Sequence, residues 1–212
     1  MNVRAKIFQT IGLFVALAAL ALPAAAQDLT EEQRDVLSRA NLSLNQLQQI
    51  TGDFVQVGPD GSRAEGKLYL QRPGKLRFEY DPPSKLQIVS DGFWVAIQDR
   101  KMKTTEKYPL ATTPLKIILA NNVDLGRDAF IRDIYTQEGF VTVTLQEKAG
   151  EADGSLVLIF DSQTYDLRQW TVTDAQGLDT SVALSNIATS QDLDSKIFRV
   201  NELGTFEVNQ GR

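Results

Sequence analysis

Residues 66–92 read GKLYLQRPGKLRFEYDPPSKLQIVSDG, and the alternation inside this stretch decides the fold. Ala64, Gly66, Leu68 and Leu70 alternate with Arg63, Glu65, Lys67, Tyr69 and Gln71, the period of two of a strand with one apolar and one wet face. Arg72-Pro73-Gly74 turns the chain. Leu76, Phe78 and Tyr80 then alternate with Lys75, Arg77 and Glu79, so a second strand returns with its apolar face on the same side. Asp81-Pro82-Pro83 and Asp91-Gly92 punctuate two further strands, Lys85 to Ser90 and Phe93 to Gln98, giving a meander of antiparallel pairs.

Outward from this core the same grammar continues. Upstream, Thr30 and Gln33 form a capping-box pattern, and Val36, Leu37, Ala40, Leu44 and Leu47 recur at helical spacing until Thr51-Gly52. Asp53 to Val57 and Met102 to Tyr108 add strands. Thr113-Pro114 then places an N-cap and a first-position proline before a short helix with Leu115, Ile118 and Leu119 on its apolar face, ending near Asn121-Asn122. Strands resume at Phe130 to Thr136, Phe140 to Glu147, Ser155 to Asp161, Leu167 to Asp174 and Thr180 to Ile187, roughly eleven in all. Parallel sheets need long crossovers, and none is present. The expected class is therefore mainly β with helices (α+β): one curled antiparallel sheet or barrel, with two helices over its open face.

Met1 to Ala26 has the marks of a cleaved signal peptide: Arg4 and Lys6, then an apolar run from Ile11 to Leu22, then Ala24-Ala25-Ala26. The reading predicts an exported, soluble product beginning at Gln27, with residues 27–212 as a single domain. No later segment approaches the about 20 apolar residues of a membrane span. The chain has no cysteine, so it has neither disulfides nor the residue that acylation of a lipoprotein would use. Its net charge is -5, and losing Arg4 and Lys6 makes the mature chain more acidic, which disfavours nucleic acid and anionic surfaces as partners.

There is no histidine, which removes Ser-His and Cys-His nucleophile systems, and with cysteine also absent it removes the usual zinc sites. No phosphate-cradling glycine motif occurs, and no cofactor or metal is expected. A carboxylate-based hydrolase would need two of Asp91, Asp99, Asp161, Asp174 and Asp179 facing across a cleft, whereas aspartates at strand ends are turn formers. The expectation is a non-enzyme. Leu68, Leu70, Leu76, Phe78, Tyr80, Ile88, Phe93, Val95 and Ile97 on the sheet are candidate liners of an interior. By pattern alone they describe an ordinary filled core as well as a binding cavity.

The ordered set Arg72-Pro73, an aromatic-rich return strand from Leu76 to Tyr80, Pro82-Pro83 and Val89-Ser90-Asp91-Gly92 resembles the LolA family of outer-membrane lipoprotein carriers. Leu76 departs from the pattern, since an aromatic is common there. The resemblance implies an incomplete antiparallel β-barrel covered by a short helical lid, and an interior that takes acyl chains. It implies that Arg72 latches the lid onto backbone carbonyls of the helices, with Leu44 and Ile118 at lid positions. Implied partners are acylated lipoproteins, an inner-membrane ATP-driven transporter that releases them, and the outer membrane or its lipoprotein receptor, with the carrier a monomer in the periplasm. The alternative is a lipid- or lipoprotein-sensing domain of the same fold, which an appended second domain would mark and for which the reading expects none. Burial of CH₂ groups gains about 0.8 kcal/mol each, so a chain of on the order of sixteen carbons gains roughly 10 kcal/mol, enough that a carrier needs a way to weaken its grip.

Overall fold

The computed structural model describes residues 29–148, 154–190 and 192–201; the leader and the cleavage site expected over residues 1–27 lie outside them. A helix, α1 (Glu31–Gln46), precedes eleven strands: β1 (Gln49–Val57), β2 (Arg63–Gln71), β3 (Lys75–Tyr80), β4 (Leu86–Asp91), β5 (Trp94–Asp99), β6 (Thr104–Pro109), β7 (Ala129–Gln137), β8 (Phe140–Glu147), β9 (Ser155–Asp161), β10 (Leu167–Thr173) and β11 (Asp179–Thr189). Two short helices, α2 (Leu115–Ile118) and α3 (Leu125–Asp128), stand between β6 and β7.

All eleven strands form one sheet in the order β6-β5-β4-β3-β2-β1-β11-β10-β9-β8-β7. Two meanders, β1 to β6 and β7 to β11, are joined where β1 pairs antiparallel with β11. Among the described residues β6 and β7 are the two terminal strands of the sheet, and the connection carrying α2 and α3 links one to the other. Register shifts between Thr51 and Asp53, Ile131 and Asp133, and Leu167 and Gln169 bend the sheet, as bulges do. The result is an incomplete antiparallel barrel with few helices, as the alternation predicts.

In the β2–β3 hairpin Leu68 faces Phe78 and Leu70 faces Leu76, and the row continues from Phe78 to Ile88 and Ile97. These residues point to the concave side. Gly66 shares that hairpin because nothing larger fits: a Cβ there would lie 1.9 Å from the Glu79 carbonyl oxygen. On the outer face a 3₁₀ turn at Ser195–Phe198 packs against β3 and β4, with Arg77 Nη1 donating to Ile197 O at 2.7 Å. That cover explains why Gln87 and Gln98, on the outward side, are buried.

α1 begins as expected, with Thr30 Oγ1 accepting from Gln33 N at 3.2 Å and Gln33 Oε1 accepting from Thr30 N at 3.0 Å. Its end differs. The helical spacing runs to Thr51, but the helix stops at Gln46, because Gln49 onward pairs with β2 on one side and Thr51 pairs with β11 on the other. Ladder bonds on both sides of a central strand outweigh a helical pattern. At the second helix Thr113 does not cap with its side chain: Oγ1 donates to Leu110 O at 2.9 Å, and the helix is one turn, ending at Ile118. α3, capped by Asp124 accepting from Arg127 N, lies between Asn122 and Phe130, where the sequence pattern assigns no element.

Candidate functional site

The Arg72-Pro73-Gly74 corner joins β2 to β3 and meets both helical pieces. Arg72 N donates to Gln48 O at 2.8 Å and Gly74 N to Leu119 O at 2.8 Å. The guanidinium adds Nε to Leu47 O at 2.9 Å and Nη1 to Ala120 O at 2.8 Å. Leu47 is the C-cap of α1 and Ala120 follows the C-cap of α2, so four hydrogen bonds tie the ends of both helices to one turn. Helix C-termini carry carbonyls with no partner inside the helix, and a planar fan of donors suits them.

Arg72 is only 8% exposed and makes no ion pair among the described residues. Burial pulls the guanidinium down to about 10, which leaves it charged at neutral pH. It is a buried cation held by neutral oxygens. The corner has its own support: Ser90 Oγ, fully buried, donates to Gly74 O at 2.7 Å. Gly74, at φ +73, lies so close to Gly92 that a Cβ would stand 2.6 Å from the Gly92 Cα. The Ser90-Asp91-Gly92 turn is thus a bracket for the Arg72 turn, and Asp91 shapes it by accepting from Phe93 N and Trp94 N.

Leu44 and Ile118 are buried in the same hydrophobic core, three residues before Leu47 and one before Leu119, whose carbonyls the corner holds. The two covering pieces are also clasped to each other. Asn45 Nδ2 donates to Val123 O at 2.9 Å while its Oδ1 accepts from Val123 N at 2.8 Å, and Asn41 Oδ1 accepts from Leu125 N at 3.0 Å. Two asparagines one helical turn apart beside Leu44 are the signal that sequence reasoning passed over. Asn45→Ala is expected to destabilise the fold by about 2 kcal/mol, two neutral hydrogen bonds at once, and to lower Tm by about 5 °C. A melting curve superimposable on the parent's would show that the clasp contributes nothing.

A cavity of about 470 Å³ lies on the concave face, and none of Arg72, Pro73 and Gly74 lines it. Phe78, Ile88, Val95 and Ile97 line it from β3 to β5. Trp170, Val172 and Val182 line it from β10 and β11, which the pattern reading did not anticipate; Thr113, Pro114 and Leu115 form part of its rim. The Trp170 and Phe78 rings are 6.1 Å apart, brought together by the β1–β11 seam. Ile97 is 37% exposed, at the edge of the cavity.

The remaining candidates stand elsewhere. Leu68, Leu70 and Leu76 are in the packed core and do not line the cavity. Tyr80 packs edge-on to Phe54 at 5.1 Å, its hydroxyl bonded to Gln56 Oε1 at 2.6 Å, and burial pushes that hydroxyl up to about 12. Phe93 is 80% exposed. Gly92, at φ +105, turns the chain there, and pairing with β6 begins only at Trp94, so Phe93 belongs to the turn and not to the wall.

The strand-end aspartates act as turn formers: Asp99, Asp161 and Asp174 each accept two backbone N–H bonds from the residues that follow, and Asp179 accepts from Thr173 Oγ1.

Against known proteins, the sequence profile described as outer membrane lipoprotein carrier protein LolA matches residues 45–201, which span the corner, the cavity and the covering segment. The chain belongs to the LolA family. An outer-membrane lipoprotein carrier protein of Methylococcus capsulatus is 32% identical over 171 residues, covering 76% of this chain and 81% of the relative. One of the same name from Chromohalobacter salexigens is 29% identical over 204 residues, covering 92% of this chain and 91% of the relative. Among solved structures, a DUF1329 family protein from Desulfovibrio piger is similar in fold, with a TM-score of 0.50 and 12% identity over 78% of this chain and 96% of that one. The LolA family is one of carriers, and no helix among the described residues is long and apolar enough to cross a membrane.

Proposed function

We propose that this LolA family member is a periplasmic carrier that takes up the acyl chains of lipoproteins released from the inner membrane and delivers them to the outer membrane. The observation that carries the reading is the apolar cavity of about 470 Å³ beneath a segment fastened by a buried guanidinium with no counter-charge among the described residues. Phe78, Ile88, Val95 and Ile97 receive the chains. Leu68, Leu70 and Leu76 become available as Leu44 and Ile118 lift with the helices. Arg72 is the latch: its acceptors all lie on the covering pieces, so opening them hydrates a charge that closure keeps dry. Binding energy of the chains then works against the latch, and release is aided by its return.

The protein works without catalysis or cofactor. Its partners are acylated lipoproteins, an ATP-driven transporter on the inner membrane and the outer membrane or a receptor there. Export removes Met1 to Ala26 and leaves Gln27 as the first residue of a single domain. Mass spectrometry of periplasmic material tests both statements: the expected result is a polypeptide starting at Gln27 and carrying a co-purified acylated protein. A species retained in membranes with residues 1–26 attached overturns the reading. A free lipid in place of the acylated protein points to a sensor of the same fold.

A further inference from the structure

One charged pair, a buried carboxylate with a half-buried ammonium, takes no part in the mechanism above. Glu147 ends β8 with its side chain 1% exposed, and its carboxylate pairs with the Lys116 ammonium of α2. Apart from that ion pair neither carboxylate oxygen has a hydrogen-bond donor among the described residues. Lys116 Nζ also donates to Ala111 O at 2.8 Å, so it gathers the turn before α2 onto the strand. A crevice of about 330 Å³ lies beside the pair, lined by Lys116, Ala120 and Glu147 among others. Ala120 is the residue whose carbonyl accepts from Arg72. The stretch from Lys116 to Ala120 therefore touches both of these buried charges, at its two ends.

A carboxylate so far from water is tolerated only while its cation is near. Here the cation belongs to the segment that covers the barrel, and the anion belongs to the sheet. Lifting α2 takes the ammonium away, and the crevice is then the route by which water can reach Glu147. We propose that Lys116 and Glu147 form a second restraint on the covering segment, separate from Arg72, and so help set how readily the cavity opens to an acyl chain; the last clause rests on the carrier reading.

The chemistry of buried pairs gives this a signature. Removing the ammonium strands the buried carboxylate in the closed state, and removing the carboxylate gives up the tie of the half-buried ammonium to β8, whereas replacing both with apolar groups leaves nothing to strand. Lys116→Met and Glu147→Gln should each loosen the segment, and Lys116→Met combined with Glu147→Leu should not. The measurement is hydrogen–deuterium exchange in the full mature protein, read at the amides of residues 115–120, with those of β1 and β2 as an internal control of folding. Each single variant is expected to exchange about tenfold faster or more in that segment with the control strands unchanged, and the double variant at or below the parent rate. Single variants at the parent rate, or a double variant as fast as the two singles multiplied, overturn the restraint. Affinity for an anthroyloxy-stearate probe separates the two readings: if exchange follows the signature while probe affinity stays at the parent value in every variant, the restraint stands and the acyl cavity is wrong.

Discussion

Arg72→Leu is expected to leave a protein that accepts lipoprotein and fails to let it go. The substitution removes the bonds to Leu47 O and Ala120 O but keeps those of the Arg72 and Gly74 backbone amides, so the turn survives and only the side-chain latch is lost. Two carbonyls at helix ends lose a charged donor, each worth about 1.5–3 kcal/mol, and part of this is offset because a buried charge has gone. A net loss of about 2 kcal/mol shifts the closed-to-open ratio by roughly thirtyfold. Loaded complex should accumulate in the periplasm, and transfer to outer-membrane vesicles should slow by at least about tenfold. Arg72→Lys should fall between, since an ammonium keeps the charge but cannot span two acceptors in fixed geometry. Transfer at the parent rate by Arg72→Leu would remove the latch assignment while leaving the fold and the family untouched.

The same carboxylate placed at two positions should give opposite failures. Leu70 is buried in filled core, and Leu70→Glu forces an unpaired acid into space with no water; a loss above about 4 kcal/mol and an unfolded circular dichroism spectrum are expected. Ile97 borders the cavity and is partly exposed, so Ile97→Glu should fold, keep a Tm within a few degrees of the parent and bind an acyl probe at least about tenfold more weakly. Phe78→Glu should lie between, because Phe78 lines the cavity and also packs edge-on to Phe54 at 4.7 Å. Normal acyl binding by a folded Ile97→Glu protein would move the ligand site away from this cavity.

What could be read in the sequence is what depends on neighbours in the chain. The β2–β3 hairpin, its facing pairs and the capping box at Thr30 follow from period and turn chemistry, and the structure has them where the residues put them. What escaped depends on contacts between distant segments. Residues 49–52 are strand because two other strands flank β1, and Trp170 lines the cavity because the β1–β11 seam carries it there. Phe93 has the right parity for the wall, but a glycine turn takes it out of register. Glu147 looks in sequence like one more polar residue ending a strand; only the fold shows that α2 covers it.

A closed barrel has its girth fixed by strand number and shear. Among the described residues of this barrel no ladder joins β6 to β7, and the chain crosses from one to the other as helix and loop. Its walls can spread without breaking a described strand pair, and the fastenings at Arg72 and Lys116 hold the cover to the sheet while Asn45 holds the cover to itself. On the carrier reading proposed above, capacity is adjustable: the interior fits itself to contents of different bulk, and the work of doing so falls on a few side chains whose grip evolution can tune one at a time.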